Sequence, residues 1–144
     1  MRMFHYKMLP YLPSAQLRGQ WRECGLIAQG IQENGTPNHL LVNKVMEYPI
    51  DEFLSYCCLV YAEMKRRNFR ILDASRERFQ RFGAYKWVEN PFDGWHNKDY
   101  LRVCVCNLFE KHYFGVGKSR ISDAEWQRIV EGYIEITGEQ YYKI

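Results

Sequence analysis

The chain has 144 residues, 47% hydrophobic and 26% charged, a globular balance that excludes a disordered polypeptide. A chain of this length buries roughly 68–70% of its unfolded surface, so its core needs neither metal nor disulfide staples. A net charge of +3 excludes a histone-like polycation, and no apolar run approaches the ~20 residues that span a bilayer, so a soluble, cytoplasmic protein is expected.

Residues 1–13 read as an extended lead-in, because Pro10 and Pro13 oppose a settled helix between them. Ser14 is a candidate N-cap for a helix to about Gln29, with Leu17, Trp21, Cys24, Ile27 and Ile31 at helical spacing. Asn34–Asn38 is a turn or loop, and His39–Val45 is a short apolar piece that fits either a helix or a strand. Asp51–Arg67 carries the clearest helical signal. Asp51 and Glu52 lie in its first turn and Lys65, Arg66 and Arg67 in its last, both favourable to the helix dipole. Its expected buried stripe is Leu54, Cys57, Cys58, Tyr61 and Met64. A basic helix follows near Asp73–Phe82, then a turn around Asn90–Gly94 and a helix over Asp99–Phe114 stopped by Gly115 and Gly117. Ser122-Asp123-Ala124-Glu125 is a capping box for a last helix that closes near Gly138. The expected fold is all-α, one compact domain over residues 1–144, with about five helices and an extended N-terminal arm.

Charge is unevenly spread. Between Lys65 and Lys86 there are eight basic residues against Asp73 and Glu77, interleaved with Phe69, Phe79, Phe82 and Tyr85. A basic stretch with aromatic interleaving suits phosphates and base faces, so Arg66 and Arg70 are candidate nucleic-acid contacts. The five cysteines are odd in number and lie largely within helical patterns, which argues against a disulfide framework. Neither they nor His5, His39, His96 and His112 show the paired spacing of a metal site, so no metal and no cofactor is expected.

Two places offer chemistry. An α-amine has a pKa of roughly 7.7–8, so it is partly free base at neutral pH and can form a Schiff base with a sugar aldehyde carbon. Arg2 is too large for efficient methionine removal, which leaves Met1 as the expected bearer of that amine. On the first helix Arg22 and Glu23 diverge by ~100°, so one can hold a phosphate while the other handles protons or developing positive charge. Each feature also has an ordinary reading, as a tucked-in chain end and as a solvated charge pair.

The lead-in Met1-Arg2-Met3-Phe4-His5 with Leu9-Pro10-Tyr11-Leu12-Pro13, followed by Gln16-Leu17…Gly19-Gln20-Trp21-Arg22-Glu23-Cys24, resembles the phage endonuclease V-type pyrimidine-dimer DNA glycosylases and their short bacterial relatives. Glu52-Phe53-Leu54…Ala62-Glu63-Met64-Lys65-Arg66-Arg67-Asn68-Phe69 resembles that family's central helix, and Tyr141-Tyr142-Lys143 its aromatic-basic tail. The resemblance implies a DNA repair glycosylase with abasic-site lyase activity, acting on damaged double-stranded DNA; the sequence leaves the oligomeric state open, with a monomer as the expectation. Met1 would be its amine nucleophile and Glu23 its catalytic carboxylate. Arg2, Arg22, Tyr141, Tyr142 and Lys143 would contact DNA, and His5, near the same end, could bond a phosphate. The family's N-terminal threonine is absent, and Leu26 stands where the phage enzyme has a further arginine. Arg18, one turn before Arg22, offers a replacement charge and a further DNA contact. The alternatives are a nucleic-acid-binding domain without the chemistry, and an interaction protein whose basic face meets an acidic partner.

Overall fold

The computed structural model describes residues 2–34 and 39–140, and all regular structure among them is helical. After an irregular arm comes a 3-10 segment, Tyr6–Tyr11, then α1 (Ser14–Asn34), α2 (Leu40–Met46), α3 (Ile50–Arg66), α4 (Asp73–Gln80) and α5 (Lys98–Tyr113). A second 3-10 turn, Gly117–Ser119, leads into α6 (Asp123–Thr137). None of these helices is long and apolar enough to cross a membrane.

Local signals set several boundaries. The acidic first turn and basic last turn of α3 fit its dipole. The Ser122–Glu125 capping box opens α6, and Gly138, in the left-handed region at φ 71°, closes it. Asn97 caps α5 by accepting from the Tyr100 amide. The described residues form six α-helices rather than about five, because the ambiguous segment after His39 is helical. Helix α1 runs past Gln29 to Asn34. Gly30 costs a helix only ~1 kcal/mol, and Ile27, Ala28 and the partly buried Ile31 carry the apolar stripe onward.

Residues 6–11 depart from the expected extended lead-in. Pro10 sits inside the 3-10 segment, where i→i+3 bonding loses a single donor at the end of a short run. The Met8 amide donates to the His5 carbonyl at 2.8 Å, and the Lys7 amide donates to His5 Nδ1 at 3.1 Å.

The core gathers Leu17, Cys24 and Ile27 from α1 with Phe53, Tyr56 and Val60 from α3. Leu101, Cys104 and Leu108 of α5 and Trp126 and Ile129 of α6 join the same cluster. Of the expected α3 stripe, Leu54, Cys57 and Met64 are buried and Cys58 and Tyr61 only partly covered, while Phe53, Tyr56 and Val60 widen it on its other side and are fully buried. Met3, Met8, Leu9 and Leu12 pack the arm into this core, each worth roughly 1.5–3 kcal/mol when buried. All five cysteines are free thiols.

Candidate active-site cleft

Gln16, Gln20 and Glu23 are spaced four and three residues apart, so they form one stripe on α1 beside the apolar face that enters the core. This stripe, with Ala15, Gly19 and Arg22, lines a cleft of about 450 Å³. Arg2 and Phe4 of the arm line it as well, with Asn107 and Lys111 from α5 and Lys118 and Ser119 from the second 3-10 turn.

Three helices hold the arm against the cleft. The Phe4 amide donates to Gln20 Oε1 of α1 at 2.8 Å. The Tyr56 hydroxyl of α3 donates to the Phe4 carbonyl at 2.7 Å, and the Tyr100 hydroxyl of α5 donates to the Met3 carbonyl. Further along, Arg67 donates to the Leu12 and Pro10 carbonyls at 2.8 and 3.1 Å while its Nε pairs with Glu63 at 2.8 Å. Tyr11 seats on α6, where a Cβ at Gly132 would lie 2.4 Å from its ring. Arg2 therefore leaves the core from a fixed point.

Burial raises the Glu23 carboxyl above the ordinary glutamate value, against the opposing pull of cationic neighbours that include Arg22 and His39. Its Oε2 is buried without a hydrogen-bond partner among the described residues. Gln16 Oε1 and Gln20 Nε2 are in the same condition. Unpaired buried polar atoms cost about 1–3 kcal/mol each, so three in one cleft mark a surface built for something other than folding. With Arg2, Arg22, Lys111 and Lys118 around a half-buried carboxylate, the cleft can hold a phosphodiester and stabilise positive charge beside it.

The structure thus brings together Arg2, Arg22 and Glu23 of the sequence-predicted residues. Met1, Tyr141, Tyr142 and Lys143 lie outside the described residues. Arg18 is exposed, with its guanidinium 4.0 Å from the centre of the Phe69 ring. Arg66 is exposed and bonded to Glu63 at 2.9 Å, and Arg70 is exposed; neither lines the cleft.

His5 does not line this cleft: it is 4% exposed, stacked on Tyr6 and tilted against His96, and burial holds its pKa down at about 4. Its Nδ1 accepts from the Lys7 amide and so caps the 3-10 segment.

Asn107, Lys111, Lys118 and Ser119 were not foreseen as site residues. The glycines after α5 mark the turn that carries Lys118 and Ser119 to the cleft, but nothing local says which cleft it reaches.

The sequence model described as pyrimidine dimer DNA glycosylase matches residues 1–76, more than half of the 144-residue chain. No curated protein and no solved structure gives a significant match. The matched span holds the arm, α1 and α3, hence Arg2, Arg22, Glu23 and most of the clamp that joins them. On that match the chain belongs to the pyrimidine dimer DNA glycosylase family, a family of DNA repair glycosylases.

Proposed function

We propose that the protein removes a pyrimidine-dimer-type base from duplex DNA and then cuts the strand as an abasic-site lyase, with the Met1 α-amine as nucleophile. The amine nitrogen forms a bond to C1′ as the glycosidic C1′–N bond breaks, and the base leaves with that electron pair and a proton. Loss of the amine proton and opening of the sugar ring yield an imine. Removal of a C2′ proton then sends an electron pair into the C2′–C3′ bond and expels the 3′ phosphate.

In this reading Glu23 stabilises positive charge at C1′ and moves protons during elimination. Arg2 and Arg22 hold the flanking phosphates. Drawing the nucleotide out of the stack costs a few kcal/mol, less at a damaged step. The observation that carries the reading is the anchoring of the arm at Met3 and Phe4, which delivers Arg2 to the cleft that holds a Glu23 oxygen with no partner among the described residues.

The test is reductive trapping. Incubation with abasic or photodimer-containing duplex and borohydride should give a stable covalent complex, mapped by peptide sequencing to Met1. N-terminal extension should abolish both trapping and cleavage while DNA binding persists. Binding with no trapped complex on either substrate would leave a recognition domain without the reaction, and an adduct on Lys7 or Lys44 would move the nucleophile.

A further inference from the structure

Asn107 and Lys111 of α5 line the cleft, and Phe114, three residues on, continues their stripe to its rim. Phe114 is 74% exposed, with Tyr113 at 69% and Val116 at 82%. Single exposed apolar residues are ordinary, but this run forms a patch that folding alone does not use. Cleft-lining cations bracket it in the chain, Lys111 before and Lys118 after. The turn that carries it is tied down at its far end. The Ile121 amide donates to the Lys111 carbonyl at 3.3 Å, and the Ser119 carbonyl accepts from Gln16 Nε2 of α1 at 2.9 Å. A Cβ at Gly115 would overlap the Lys111 carbonyl oxygen, so the chain leaves α5 this tightly only without a side chain there.

We propose that Phe114 and Val116 form a wedge that enters the base stack of the duplex next to the cleft and holds the damaged step open. The wedge presupposes the DNA-repair reading above and deepens it with residues that position the substrate. Two properties of the patch select this partner. Its flanks are cationic: Lys111, Lys118 and Arg120 fall between residues 111 and 121 with no Asp or Glu among them, so a polyanion is drawn to the rim. The tip itself is apolar, which phosphates do not reward but a parted base step does. Proteins that kink duplex DNA insert side chains of this kind, Phe among them, between base pairs. Parting a step costs least where damage has already weakened it. A turn ordered on folding meets the stack without a further ordering cost.

With the full chain, a duplex carrying 2-aminopurine in the pair next to a photodimer should brighten on binding as that step parts. Phe114→Ala should remove most of the brightening. It should also weaken affinity for the photodimer duplex by about tenfold, the low end for one aromatic that stacks on a base. Phe114→Leu keeps an apolar wedge and should stay within roughly threefold of the parent. The slope of log K against log salt should hold in both variants, because no cation is lost. Full brightening with Phe114→Ala, or an equal loss of affinity for undamaged and photodimer duplexes, would overturn the wedge. So would unchanged DNA binding with weaker self-association in sedimentation velocity, which would assign the patch to a second copy of the chain. Neither readout requires cutting. A parent that binds and brightens but cleaves nothing loses the lyase reading alone, and a parent that binds no duplex loses both.

Discussion

Two glutamates of this protein sit in opposed environments. Glu63 is desolvated, which alone would raise its carboxyl, yet hydrogen bonds from Arg66 and Arg67 bring it below the ordinary value. Glu23 is partly buried with one oxygen lacking a hydrogen-bond partner among the described residues, and there burial wins and the carboxyl rises. Its folded state therefore binds the proton more tightly than the unfolded chain does. By linkage, stability is present below the unfolded value and declines as pH rises through the raised folded value. Glu23→Gln escapes that decline. Its melting temperature at neutral pH should equal or exceed the parent's, with the difference growing as pH is raised from about 4 to 7. Strand cleavage should fall by on the order of 10²–10⁴, the scale of lost acid–base catalysis, while DNA affinity changes only a few-fold. The parent's own cleavage should fail on the acid side at a pH above that of an ordinary glutamate, ~4.3. Calorimetry beside a single-turnover assay measures both effects. A variant that melts lower and cuts normally would make Glu23 a structural residue.

The arm and α3 are joined by an arginine that the sequence presents as one of a basic run. Arg67 is bonded to Glu63 and to carbonyls of the 3-10 segment's end, so its charge faces inward. Arg67→Ala leaves those carbonyls without this donor and removes one of two cations from a carboxylate whose side chain is 9% exposed. Breaking a buried pair costs about 3–5 kcal/mol. Arg66 keeps Glu63 partnered, so the loss here should be lower, on the order of 2–3 kcal/mol. Glu63 is the depressed case, with stability present above the unfolded value and lost as pH falls through the folded one. The difference between parent and variant should therefore shrink in acid, as read from urea midpoints at constant slope. An unchanged midpoint at neutral pH would remove the clamp from the account. Elements whose cause is local were legible in the sequence: the charged ends of α3, the capping box of α6, the glycine that ends it. The arm's seat was not, because its partners Gln20, Tyr56, Tyr100 and Arg67 come from three distant helices. Within the site, Arg22 and Glu23 were legible from helical spacing and family resemblance, whereas Asn107 and Lys111 reach the cleft only through the packing of α5.

On the scale of the whole molecule, a net charge of +3 says little about where DNA would lie. The linear reading assigns that role to the stretch from Lys65 to Lys86, but folding divides its members. Arg67 faces inward, Arg78 donates to the Gly25 carbonyl at 3.0 Å, and Arg76 is bonded to Asp73 at 2.9 Å. Meanwhile Arg2, Arg22, Lys111 and Lys118 come from the arm, α1, α5 and the second 3-10 turn to ring one cleft. Each cation that neutralises a duplex phosphate contributes about −0.9 to the slope of log K against log salt. Lys118→Ala and Arg22→Ala should therefore each flatten that slope by roughly 0.9, with affinity falling alike for damaged and undamaged duplex. Arg66→Ala and Arg70→Ala, at exposed positions of the stretch, should act the same way. Arg78→Ala should leave the slope unchanged, because its guanidinium is committed to the fold. Filter-binding or anisotropy titrations over a range of salt concentrations measure all five variants on one duplex. A slope that responds to Arg78 and ignores Lys118 would mean that the run of charge along the chain, rather than the ring of charge around the cleft, carries the DNA. A slope near zero for the parent would point away from nucleic acid, towards an acidic partner.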